Sequence, residues 1–141
     1  MVESIVEKYG TRNPIKIANE MGIQIIYEPL GMINGYFTTM CRHRQIHINS
    51  ELDERRMFFT AAHELGHAIL HPHENTPFLK STLLSVNKLE REANLFAVKL
   101  MISDDDLEIY NENTIQQLSC IYGLPAELIE LRKNGRFRFN K

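Results

Sequence analysis

The chain has 141 residues, 43% hydrophobic and 24% charged, with a formal net charge of −2. That length suits one domain over residues 1–141, large enough to bury a core without the help of a disulfide. No apolar run approaches the ~18 residues of a membrane span, and the charge gives no general attraction to nucleic acid or anionic lipid.

Residues 2–9 read as a first helix. Its charges interrupt the apolar positions, unlike a signal peptide. Cys41 and Cys120 stand in no paired spacing, which fits reduced thiols in the cytoplasm. Asn13-Pro14 predicts an N-cap followed by a first-turn proline, opening a helix to about Met21 that stops at Gly22. Ile23 to Tyr27 is a short β-rich run. Pro29, Gly31 and Asn34-Gly35 punctuate the next stretch. Tyr36–Thr39 and Gln45–Ile48 are expected to pair as a hairpin around a polar loop at 40–44, with Ile46 and Ile48 on one face.

Ser50 with Asp53 resembles a capping box and is expected to start the next helix, which runs through His71 to Pro72. Residues 72–86, with Pro72 and Pro77, read as a loop. A long helix follows over roughly 87–101. Ser103 caps a short helix to Tyr110, Thr114 and Gln117 form a capping box, Gly123 ends that helix, and Pro125 opens the last. This C-terminal helical segment covers about 103–134. A basic tail follows at 135–141; Arg132, Lys133, Arg136, Arg138 and Lys141 are read as solvated. The expected fold is α+β, with a small three-stranded antiparallel sheet and about six helices.

The chemistry concentrates at His63-Glu64-Leu65-Gly66-His67. Histidines four apart share a helix face and can bind one ion. Zn²⁺ suits neutral imidazole ligands, and Glu64, beside His63, is placed to act as general base. The pattern lies in an apolar helix, where unpaired histidines and a glutamate would be costly to bury. A third ligand is expected from the downstream helix at Glu90, with Asn94 one turn later supporting a ligand histidine. Glu92 lies about 200° from Glu90 on a helical wheel and reads as solvated, near Arg91 and Lys88. Three protein ligands leave a position open, the mark of a catalytic site. His71 reads as a C-terminal histidine facing the helix dipole. Tyr36, His43 and His47 are open candidates for stabilising an oxyanion.

The run His63 to Pro72, taken with Glu90 to Ala97 and the upstream Ile46-His47-Ile48-Asn49, resembles the ImmA/IrrE family of metallopeptidases. The resemblance covers residues 13–132 and implies a zincin-like active helix. It also implies that His63, His67 and Glu90 bind zinc and that Glu64 is the base. The implied partner is a protein substrate, a cognate helix-turn-helix repressor that family members are thought to cleave. One departure is that Leu100-Met101 is followed by Ile102-Ser103, where the family often has proline. Residues 114–132 also have a helix-turn-helix rhythm. Their second helix carries Glu127 and Glu130 and few base-reading groups, so direct nucleic-acid binding is not expected. A third possibility is an inactive relative that binds a repressor without cutting it. The complete set of ligands and base argues against it.

Overall fold

A computed structural model describes residues 1–73 and 83–135, without the side chains of residues 83–87. Its elements are α1 (Val2–Tyr9), α2 (Pro14–Glu20), β1 (Gln24–Glu28), β2 (Gly35–Met40) and β3 (His43–Asn49). They are followed by α3 (Glu54–Leu70), α4 (Leu83–Met101), α5 (Asp104–Ile109), α6 (Ile115–Tyr122) and α7 (Ala126–Asn134). The fold is α+β. No helix among the described residues is long and apolar enough to cross a membrane.

Local chemistry starts most helices where the sequence places them. Asn13 accepts hydrogen bonds from the N–H groups of Ile15 (2.9 Å) and Lys16 (3.3 Å), and Pro14 occupies the first turn without an N–H to satisfy. Ser103 accepts from the N–H of Asp106 at 3.0 Å. Thr114 and Gln117 exchange capping-box bonds of 2.9 and 3.1 Å. The start of α3 differs from expectation. Asp53 is its cap, accepting from the N–H of Arg56 at 2.9 Å. Ser50 instead donates its N–H to the Glu28 carbonyl at 2.9 Å, which keeps it tied to the end of the sheet. The following long helix begins at Leu83 rather than near 87, and residues 74–82, with Pro77, lie outside the described residues.

The sheet order is β1-β3-β2, and it is mixed rather than wholly antiparallel. A two-residue turn at Cys41 (φ 52°) and Arg42 (φ 68°) reverses the chain between β2 and β3. The expected loop at 40–44 therefore shrinks to those two residues. The chain crosses from β1 to the far edge before entering β2, so β1 pairs with β3 and runs parallel to it. Asn49 organises that crossing. Its buried amide donates to the carbonyls of Gly31 and Ile33, both at 3.0 Å, and accepts from the N–H of Leu30 at 3.3 Å.

Period-two alternation turns Phe37, Ile46 and Ile48 toward α3, where they are fully buried with Ala62 and Leu65. Phe58 of α3 lines a surface groove with Tyr27 and Met57. The C-terminal helices close the other side of the core through Leu118 and Ile129. Arg132 is not part of a solvated tail. It is buried, donating from Nε to the Ile102 carbonyl and from Nη2 to Asp104, both at 2.7 Å. The guanidinium's hydrogen bond and charge hold the Asp104 carboxyl below its usual range. Arg136, Arg138 and Lys141 lie outside the described residues.

The α3–α4 contact positions the site, and Gly66 sets its closeness. A Cβ at Gly66 would stand 3.1 Å from Phe96 and 3.2 Å from the Ala93 carbonyl. The carbonyl belongs to helix backbone and cannot yield cheaply. Gly66→Val is therefore expected to cost about 1–3 kcal/mol by overpacking. It should lower the thermal midpoint of the metal-free protein; an unchanged midpoint would contradict this account.

Candidate metal centre

The helical spacing places His63, His67 and His71 in sequence along one face of α3. The rings of His63 and His67 meet edge to face with centroids 4.8 Å apart. From α4, Glu90 reaches both of them. Its Oε2 lies 3.1 Å from Nε2 of His63, and its Oε1 lies 2.8 Å from Nε2 of His67. One donor atom from each of His63, His67 and Glu90 falls within 4.8 Å of the others. Two imidazole nitrogens and a carboxylate oxygen fit a divalent cation, zinc in particular. His67 is wholly buried, whereas the Glu90 side chain is 32% exposed, so the set faces outward on one side.

The electrostatics of this cluster are opposed by burial. Burial works against the Glu90 charge, yet hydrogen bonds from His63 and His67 win and hold its carboxyl far below the usual range. For His63, burial disfavours the charged ring, but the bond to Glu90 and the nearby Glu64 outweigh it and raise the pKa. For His67 burial dominates and the pKa is lowered. Ligation needs neutral imidazoles, which the lowered pKa of His67 favours and the raised pKa of His63 opposes.

Glu64 is buried, with Oε2 4.0 Å from Nε2 of His63. It therefore stands beside the ligand face rather than within the three-donor set. A cleft of about 300 Å³ opens on this face, lined by Ile33, Asn34, Gly35, Thr60, Glu64 and Asn94 among others. Asn94 lies beside His63, where it favours the charged ring. Gly35 lets the cleft wall come close to α3. A Cβ there would fall 2.6 Å from both the His47 carbonyl and Thr60 Cγ2, and 3.7 Å from Cγ of Glu64.

The three oxyanion candidates are not brought to this cleft. Tyr36 and His47 are paired across β2 and β3 and stacked with centroids 4.4 Å apart, on the sheet face opposite Phe37 and Ile46. Both contact Glu28, at 3.4 Å from the Tyr36 hydroxyl and 2.9 Å from His47 Nδ1. Burial and that carboxylate raise the Tyr36 pKa. His43 is exposed at the start of β3.

Two residues that sequence reasoning set aside are close to the cluster. His71 is buried at the end of α3, and Glu92, read as solvated, is 4% exposed. The wheel angle was right, but it places Glu90 and Glu92 on opposite flanks of the Ala93 ridge. Because Gly66 lets that ridge approach α3, both flanks reach histidines. The available signal was a third histidine at the same four-residue step.

Comparison with known proteins identifies the family. Residues 18–133 match the family model described as the IrrE N-terminal-like domain, a peptidase family. The chain is 42% identical over 135 residues to "Uncharacterized immunity region protein 2" of Bacillus phage phi105, covering 93% of this chain and 85% of that one. It is 36% identical over 132 residues to "Metallopeptidase ImmA" of Bacillus subtilis (strain 168), covering 89% and 77%. With a family model spanning most of its length and a relative of that name, the chain belongs to the ImmA/IrrE family of metallopeptidases.

Proposed function

We propose that this protein is a zinc-dependent endopeptidase that cleaves a cognate helix-turn-helix repressor in the cytoplasm, the whole chain acting as one domain. The observation that carries the reading is the convergence of His63, His67 and Glu90 with Glu64 beside them at an open cleft. Zinc held by those three residues supplies a Lewis acid that polarises the scissile carbonyl and acidifies water. Glu64 takes the proton of the attacking water and passes it to the departing amine. Its burial keeps bulk water from competing for that role.

An extended substrate has two places to lie. The outer edge of β2 has no strand partner among the described residues, so a peptide can pair there by main-chain hydrogen bonds. The cleft also continues into a second cavity of about 550 Å³ that shares Asn34, Phe59 and Thr60 with the first and reaches Leu124 and Leu128. A groove that runs on past the ligands suits an extended segment of a longer chain. The named relative from a phage immunity region supports a repressor as substrate.

The test pairs the purified protein with the repressor encoded nearest to it. Cleavage into two fragments is expected with zinc, none after chelation, and recovery on adding zinc back. An intact repressor in the presence of the zinc-loaded protein would overturn the substrate assignment, and cleavage that survives chelation would overturn the metal.

A further inference from the structure

Behind the proposed ligands, buried side chains continue the cluster inward. Nδ1 of His67 lies 3.1 Å from Nδ1 of His71, and Nε2 of His71 lies 3.2 Å from Oε1 of Glu92. All three are buried, at 0%, 8% and 4% exposure. We infer that His71 and Glu92 are positioning residues that fix the tautomer of His67 and keep its Nε2 lone pair on the metal side.

The direction of this relay follows from ligation itself. An imidazole that binds a cation through Nε2 carries its proton on Nδ1. Nδ1–H of His67 then needs an acceptor, and Nδ1 of His71 stands in reach of it. A bare Nδ1 on His71 places the proton of that ring on Nε2, which donates to Oε1 of Glu92. Nε2 of His67, on the side of Glu90, is thereby kept for the cation. A ligand histidine whose second ring nitrogen donates to an oriented acceptor has its ring plane and basicity set by that acceptor. Here the acceptor is another histidine, and the carboxylate acts one residue further back.

A structural role alone explains the arrangement poorly. The other oxygen of Glu92, Oε2, is buried and has no hydrogen-bond partner among the described residues. A buried, half-satisfied carboxylate generally lowers stability relative to an apolar side chain of similar volume. Glu92 therefore costs the fold something that its control of His71 accounts for. An amide at this position would behave differently, because it can donate as well as accept. Glutamine donating to Nε2 of His71 would reverse the relay and put the His67 proton on Nε2, where it blocks ligation.

This inference rests on the metal assignment proposed above, and the experiment separates the two. Zinc affinity of the full chain is measured by competition with a chromophoric chelator for wild type, Glu92→Gln and His71→Phe. Both variants are expected to bind zinc about 10–100-fold more weakly. The metal-free Glu92→Gln protein should melt no lower than wild type. Nitrogen-15 NMR of the zinc-loaded wild type should show His67 protonated at Nδ1 and His71 at Nε2. Unchanged zinc affinity in both variants, or a zinc-loaded His71 protonated at Nδ1, would overturn the inference and leave the metallopeptidase reading intact. A wild type that binds no zinc would remove both. If the variants do not fold, the tautomers of the wild type decide the matter.

Discussion

Glu64→Gln is expected to retain zinc and to cleave the repressor about 100- to 10,000-fold more slowly than wild type, the range that a positioned general base contributes. The amide is nearly isosteric with the carboxylate, so the buried site beside His63 should keep its packing. It has no basic oxygen that can take a proton from water at neutral pH. Zinc content is measured first, so that the rates are compared at equal occupancy. A variant that still cuts the genuine substrate at the wild-type rate would end the role assigned to Glu64.

Glu90→Ala should lose zinc more completely than any substitution behind the ligands. Among the described residues Glu90 is the one carboxylate that touches both His63 and His67, and its removal leaves a two-histidine face. Two neutral ligands bind zinc poorly compared with two histidines and an anion. The loss of affinity should exceed the about 10–100-fold expected of an outer-shell residue such as Glu92. Metal analysis of Glu90→Ala and Glu92→Gln side by side checks the order. Equal losses would mean that Glu90 is not the third ligand.

Much of this architecture is legible in the amino-acid order because its causes are local. Asn13-Pro14, Ser103 and the Thr114–Gln117 box specify helix starts within a few residues, and the structure uses each of them. The four-residue step from His63 to His67 is equally local. What the sequence does not carry is the outcome of competition between distant segments. Asp53 rather than Ser50 caps α3, and the backbone of Ser50 is held at the end of the sheet by the carbonyl of Glu28, more than 20 residues earlier. The direction of β1 depends on which strand it meets after folding. Glu92 looked solvated because a helical wheel treats each helix alone, and its burial follows from how closely α3 and α4 approach at Gly66. Tyr36 and His47 were reasonable polar candidates near the active helix, but the β pleat turns them to the other face of the sheet.

Gly35 divides the cleft into a part that can change and a part that cannot. Its backbone sits where no side chain fits, wedged between the His47 carbonyl and Thr60. Any larger residue there would shift either β2 or α3, and with α3 the whole row of histidines. The distance from the strand edge to Glu64 is thus fixed by a missing methyl group, much as a stop fixes the depth of a drill. Met32 and Ile33, on the same wall, are freely exposed. Those two positions can be substituted without moving the strand, while the depth at which a bound backbone would meet Glu64 stays the same.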